Sequence, residues 1–390
     1  MIRLKTALLC LVLICSIGHA QKRSYEIFAE TGAYFDGKGL YENVISNGPA
    51  YFPSVGAGVF FRPENGYFAS ALNYPEFGIS ISQSFKGKME YRPNGRLGNF
   101  TDLYGSVFFN LSKFEKFSIG PLLELGAAYT PIKWEHVGNP DNLYIGSNIE
   151  ALLGLGLKTR FHISQNWAFV ATLRLSHHSN GMTKVPNWGV NKYSAVAGIR
   201  YTPLQTSQAK TQKPQPPKYK KLSLNAYFAA GVHSCDVELR ANNADEKKGL
   251  AFPEDPAPVH PRFIGTIEGE WRYSPVLSTS IGTEIMYAPG DYRRYDISIE
   301  GREDPRGYSD IVSGIFTAQS LYYGNFSVRI TTGVYIFKKL GIAEDVSPIF
   351  EKAGIRYNLN SLKGTFLGLD VRAHYWDRSY CIEWSAGIKF

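Results

Sequence analysis

His177 and Ser179 stand two residues apart in WAFVATLRLSHHSNG, residues 167–181. An imidazole beside a hydroxyl can take its proton as the oxygen attacks an ester carbonyl. Such a pair needs a third group to fix the tautomer and orientation of the imidazole. Asn191, beyond the loop that follows, carries a side-chain carbonyl able to accept the imidazole N–H. The negative charge that develops on the attacked carbonyl needs N–H donors. The backbone N–H groups of Asn180 and Gly181, with the Asn180 amide, are the candidates. No metal-ligand spacing and no glycine-rich phosphate loop is present, so this chemistry is expected to need no metal and no cofactor.

These roles require one shared face. Residues i and i+2 of a strand point the same way. In residues 167–181 the row Trp167, Phe169, Ala171, Leu173 and Leu175 is apolar, and His177 and Ser179 continue it. Thr172, Arg174, Ser176 and His178 form the opposite row, so His178 reads as an inward residue. On the next strand Asn191 shares its face with Tyr193, Ala195, Ala197, Ile199 and Tyr201. An apolar face outward and a polar face inward is the pattern of a transmembrane barrel strand. The pair is therefore expected at the rim of a lipid-facing wall.

The composition suits that wall: 25 Tyr, 24 Phe and 38 Gly, with only 19% charged residues. At the N-terminus Arg3 and Lys5 precede an apolar run from Ala7 to Ile17, and Gly18-His19-Ala20 follows with small residues at −3 and −1. This reads as a signal peptide over residues 1–20, with Gln21 as the mature N-terminus. No later apolar stretch approaches the length of a membrane-spanning helix. The formal net charge of +8 suits an acidic partner. For an exported protein that partner is the phosphate-rich outer leaflet rather than nucleic acid. Lys86, Lys88, Arg92, Arg96 and Lys133, in loops expected to face outward, are candidate contacts to lipid phosphates.

The segment 206–221, TSQAKTQKPQPPKYKK, reads as a Pro/Lys-rich linker. It separates residues 21–205 from 222–390. Eight candidate strands precede it, near 25–35, 54–63, 75–85, 100–112, 116–130, 145–161, 166–179 and 191–203. Eight follow, near 222–234, 262–272, 276–287, 309–318, 326–337, 347–358, 364–375 and 379–390. The last alternates most cleanly, with Tyr380, Ile382, Trp384, Ala386, Ile388 and Phe390 on one face. The expected fold class is all-β: an antiparallel transmembrane β-barrel, built as two eight-stranded halves or, alternatively, as one barrel of about sixteen strands. Cys235 and Cys381 fall on neighbouring strands if the second half closes on itself, where a disulfide is geometrically possible.

His177-His178-Ser179-Asn180-Gly181, then Pro186-Asn187-Trp188-Gly189, then Asn191-Lys192-Tyr193-Ser194 resembles the signature of the outer-membrane lipid A 3-O-deacylase family. The likeness covers roughly residues 24–204. It implies an eight-stranded barrel in the outer membrane of a Gram-negative bacterium, with lipopolysaccharide as partner and substrate. It further implies a Ser-His-acid triad facing lipid that cleaves the ester-linked acyl chain at position 3 of lipid A. Carried over, His177 is the general base, Ser179 the nucleophile, and Asn180 with Gly181 the oxyanion donors. Asn191 departs from the glutamate of the best-known members: it can orient the histidine but cannot stabilise an imidazolium by charge. His374 occupies a comparable place in the second half, but no serine follows at i+2, so that half reads as a related barrel without a triad. A non-enzymatic porin or scaffold, and an outer-membrane phospholipase, are the rival readings.

Overall fold

Alternation of side chains, rather than any long apolar run, builds this molecule. The computed structural model describes residues 21–35, 51–85, 89–91, 95–112, 114, 116–135, 138–203, 214–234, 259–289, 309–339, 348–359, 361–362, 364–375 and 378–390. The expected signal peptide and Cys235 lie outside the described residues. Its first half comprises β1 (Gln21–Phe35), β2 (Tyr51–Pro63), α1 (Tyr67–Ala71), β3 (Glu76–Ser84), β4 (Met89–Tyr91), β5 (Gly95–Leu97), β6 (Thr101–Phe108), β7 (Phe117–Tyr129), β8 (Ile149–His162), β9 (Trp167–Ser179) and β10 (Val190–Tyr201). Its second comprises β11 (Leu222–Ser234), β12 (Val259–Arg272), β13 (Leu277–Tyr287), β14 (Ile311–Tyr323), β15 (Phe326–Phe337), β16 (Ile349–Asn358), β17 (Thr365–His374) and β18 (Arg378–Lys389).

Each half closes separately. The first barrel runs β1-β10-β9-β8-β7-β6-β3-β2 and the second runs from β11 through β18 in chain order, with β18 back on β11. Every pairing is antiparallel, as in Tyr25↔Tyr201 between β1 and β10 and Val232↔Ile382 between β11 and β18. Two barrels, and not one of sixteen strands, is therefore the architecture.

The two faces are the reverse of a soluble protein's. Along β12, Phe263, Ile267 and Trp271 are exposed, while Arg262, Glu268 and Glu270 are buried. Ile27 is 68% exposed and Leu173 66%, whereas Arg200 is 1% exposed and Arg262 0%. Such a surface is stable only against lipid. Tyr25, Tyr201 and Trp167 lie in one row across three strands, part of the aromatic girdle expected at an interface.

Charge inside a narrow barrel must be paired. In the first lumen Glu26 meets Lys158 at 3.1 Å and Arg200 at 2.5 Å, and Glu76 meets Arg160 at 2.9 Å. Arg174 joins Glu124 at 2.6 Å and Glu30 at 3.2 Å. The second lumen has its own set, with Lys352 and Arg372 each 2.6 Å from Glu284. Nearer the outer end of the first barrel, Tyr34, Phe52, Leu97, Phe100, Tyr144, Ile145 and Val190 pack into a buried apolar cluster.

The differences from expectation are local. The long connection after β2 contains helix α1, which shortens its span. The loop near 86–98 forms the small hairpin β4–β5. Strand β8 begins at Ile149, later than the expected 145, because Tyr144 and Ile145 belong to the buried cluster. Strand β14 runs on to Tyr323 because Ser320 and Tyr322 continue the buried row. Of the proposed linker, residues 214–221 have no helix or strand, and 206–213 lie outside the described residues.

Candidate functional site

Strands β9 and β10 bring His177 and Asn191 together. They are direct cross-strand partners, so both side chains leave the sheet on the outer face. His177 Nδ1 and Asn191 Oδ1 lie 2.7 Å apart. An amide oxygen only accepts, so the contact selects the Nδ1–H tautomer and leaves the lone pair on Nε2. On the other flank, Leu153 and Ala151 of β8 face His177 and Ser179. The imidazole and the serine hydroxyl are neighbours along this face without a hydrogen bond between them, a common state before substrate binds.

The loop after β9 folds back over the pair. Gly181 N–H points at Ser179 Oγ, 3.4 Å away. Asn180 is committed to the loop itself: its N–H donates to Asn187 Oδ1 at 3.0 Å, and its amide donates to Lys184 O at 2.8 Å and to Ser147 Oγ at 3.3 Å. Asn187 Nδ2 is buried with no hydrogen-bond partner among the described residues, and its side chain is one hydrogen bond from Asn180, the residue after Ser179. Gly189, at φ 74°, is held by Tyr144 O at 3.1 Å and lies so close to His177 that an added Cβ would stand 2.5 Å from Cε1 and 3.1 Å from Nε2. Ser179 is consequently 6% exposed, not open to lipid as the strand pattern alone suggests.

Two family models match, one on each side of the proposed linker. Residues 65–200 match the family described as lipid A 3-O-deacylase (PagL), and residues 222–390 match the one described as acyloxyacyl hydrolase, C-terminal domain. The N-terminal half is thus similar to the lipid A 3-O-deacylase family over residues 65–200. No curated protein matches. Among solved structures, the crystal structure of the outer membrane enzyme PagL is similar at 14% identity and a TM-score of 0.31, over 44% of this chain and 97% of that one. OccAB1 of Acinetobacter baumannii is similar at 9% identity and a TM-score of 0.24, over 95% of this chain and 96% of that one. A mutant porin of Rh. blastica has 6% identity and a TM-score of 0.17, over 95% and 100%.

Below the His-Ser pair, the wall of the first barrel carries an apolar groove of about 620 Å³. Leu155, Leu157, Leu173, Leu175, Tyr193 and Ala195 line it. Leu173 and Leu175 precede His177 in the same row of β9, and Tyr193 follows Asn191 in the same row of β10, so the groove runs up to the candidate site. Alternation identifies these residues as outward, but a groove among them depends on side-chain size across four strands, Thr31 and Ala195 being the small outward ones.

The other sequence candidates separate. His178 faces the lumen, 3.0 Å from Asp102, as alternation requires. Lys86, Lys88 and Arg92 have no described side chain. Arg96 is spent within the loops, its guanidinium 2.6 Å from Gly138 O and its N–H on Asn139 Oδ1 at 2.7 Å. Lys133 is half-buried beside Trp134, and its carbonyl accepts from Asn139 Nδ2 at 2.7 Å. In the second barrel His374 is buried in the lumen, 3.0 Å from Tyr335 Oη. Cys381 is a buried free thiol. Its proposed disulfide partner, Cys235, lies outside the described residues.

Proposed function

We propose that the N-terminal barrel is a serine esterase that removes an ester-linked acyl chain, at position 3, from lipid A in the outer membrane of a Gram-negative bacterium. The observation that carries the reading is the 2.7 Å contact between His177 Nδ1 and Asn191 Oδ1, with Ser179 next in the row at the head of an apolar, lipid-facing groove. A substrate whose acyl chain lies in that groove presents its ester to Ser179 from within the membrane.

In the first half-reaction Ser179 Oγ attacks the ester carbonyl while His177 Nε2 takes the hydroxyl proton. The Gly181 N–H and the unpaired Asn187 Nδ2 are the donors for the oxyanion. Collapse breaks the ester bond, and the proton on His177 passes to the departing sugar hydroxyl. Water, deprotonated by His177, then attacks the acyl-serine and releases the fatty acid and Ser179. Asn191 holds the imidazole in the required tautomer throughout. No cofactor enters.

Ion pairs cross both lumens, which speaks against conduction as the function. The test is mass spectrometry of lipid A from cells lacking the protein, complemented with wild type or with Ser179→Ala. Loss of one hydroxyacyl chain with wild type alone is expected. Identical spectra would remove lipid A as substrate, and altered phospholipids would point to a phospholipase.

A further inference from the structure

The turn that follows Ser179 is not held by its own barrel alone. Gly181 and Met182 both adopt left-handed backbone, at φ 64° and 62°. For methionine that conformation is unfavourable and persists only where the surroundings impose it. Part of those surroundings comes from the second barrel. The Ser234 N–H, at the end of β11, donates to Met182 O at 2.6 Å. A Cβ placed on Gly181 would stand 2.5 Å from Ile382 Cγ1 and 2.9 Å from Cδ1. Ile382, on β18, therefore occupies the space a side chain at position 181 would need. It belongs to the outward row of its strand and is half-buried, whereas Trp384 in the same row is 67% exposed.

A second contact lies at the opposite end of the strands, where Tyr323 packs on Phe77 with ring centroids 4.9 Å apart and on Phe68 at 6.1 Å. A strand tilted by about 40° travels far around a small barrel over its length. The outer end of β9 and the inner end of β3 thus come to the same side of the first barrel, and the two contacts agree with barrels lying flank to flank.

We infer that the C-terminal barrel is a positioning partner of the esterase site. Its β11–β18 seam clamps the Gly181–Met182 turn and keeps the Gly181 N–H aimed at Ser179, where the oxyanion forms. This rests on the esterase reading above. Along β9 the apolar groove comes before the His-Ser pair and the clamp comes after it, so substrate and second barrel meet the site from opposite ends. Ser234 and Ile382 are positioning residues, touching the turn and not the substrate.

The test uses the full chain in phospholipid vesicles, carrying Cys235→Ser to remove a competing thiol. Met182→Cys combined with Ser234→Cys is expected to form a disulfide on oxidation, read as a cross-linked peptide by mass spectrometry, since backbones this close can be bridged. Separately, Ile382→Ala is expected to lower kcat on a soluble p-nitrophenyl ester by on the order of tenfold, as a loosened oxyanion donor should. KM and heat-modifiable gel migration should stay unchanged, and Ile382→Val should recover most of the rate. Absence of the cross-link, or wild-type kcat in Ile382→Ala, would overturn the inference. If the cross-link forms in the double-cysteine chain but the wild-type chain hydrolyses no ester, the esterase reading falls and the positioning role with it, leaving only the contact between barrels.

Discussion

His177 and Asn191 face each other across β9 and β10 as register partners, Nδ1 to Oδ1, at 2.7 Å. The contact supplies orientation without charge. In the proposed mechanism His177 becomes cationic on taking the proton of Ser179, and a neutral amide stabilises that cation less than a carboxylate does. Asn191→Glu is therefore expected to raise kcat by about tenfold, equivalent to about 1.4 kcal/mol of transition-state stabilisation. Asn191→Leu, which keeps the bulk and loses the acceptor, should lower it by a similar factor or more. Single-turnover hydrolysis in mixed micelles measures both. An unchanged rate in each variant would remove Asn191 from the mechanism.

Gly189 ties the loop to the imidazole. Its φ of 74° already disfavours a side chain, and a Cβ would collide with the His177 ring at 2.5 Å. Gly189→Ala should cost about 1–2 kcal/mol of stability from backbone strain and should also displace the ring, lowering kcat by more than tenfold. Gly324→Ala is the matched comparison, because Gly324 has φ 61° and nothing within 4 Å of an added Cβ. It should lose stability and keep activity. Equal activities in the two variants would show that the contact with His177 is irrelevant.

How far the chain could be read follows from which features are local. Strands β11 and β15 were legible to the residue, at 222–234 and 326–337, because a two-residue period under turn residues admits one register. The facing of His177 and Asn191 was legible for the same reason, since hairpin alternation decides which residues share a face. Helix α1 was not, because five residues, YFASA, are too few to show a helical period. Asn187 and Gly189 stood in a recognised motif, but their roles depend on the loop returning over β9. Ser179's burial was beyond reach, since it depends on the loop after β9 folding back over the pair, a contact no local pattern encodes.

Arg200 tests the lumen. Its Nε and Nη2 meet Glu26 Oε2, and its Nη1 meets Glu76 Oε1 at 2.5 Å, all buried. Arg200→Met keeps the volume but leaves both carboxylates short of a partner, so a loss of about 3–5 kcal/mol is expected. The readout is the denaturant midpoint of folded, heat-modifiable protein. Because Arg200 lies near the end of β10 remote from Asn191, kcat per folded molecule should be unchanged. A stable variant would mean that Lys158 and Arg160, which also hold these carboxylates, are sufficient.

On the proposed function, the groove is the feature expected to select the acyl chain. Its walls are Leu155, Leu173, Leu175 and Tyr193, and its volume of about 620 Å³ is open to the membrane side. An acyl chain in it gains by contact with those walls, and each methylene buried is worth about 0.8 kcal/mol. Leu173→Trp places an indole in the lower part of the groove, away from His177, and should exclude about three methylenes. The expected penalty is about 2.4 kcal/mol, or roughly 50-fold in kcat/KM for long-chain esters. Short esters that never reach position 173 should be hydrolysed at the wild-type rate, which separates a blocked groove from a damaged site. A series of p-nitrophenyl esters of increasing chain length, run against wild type and Leu173→Trp, measures this directly. Curves that diverge only beyond a threshold length would assign the groove to the acyl chain. Parallel curves would mean that the chain lies elsewhere on the barrel.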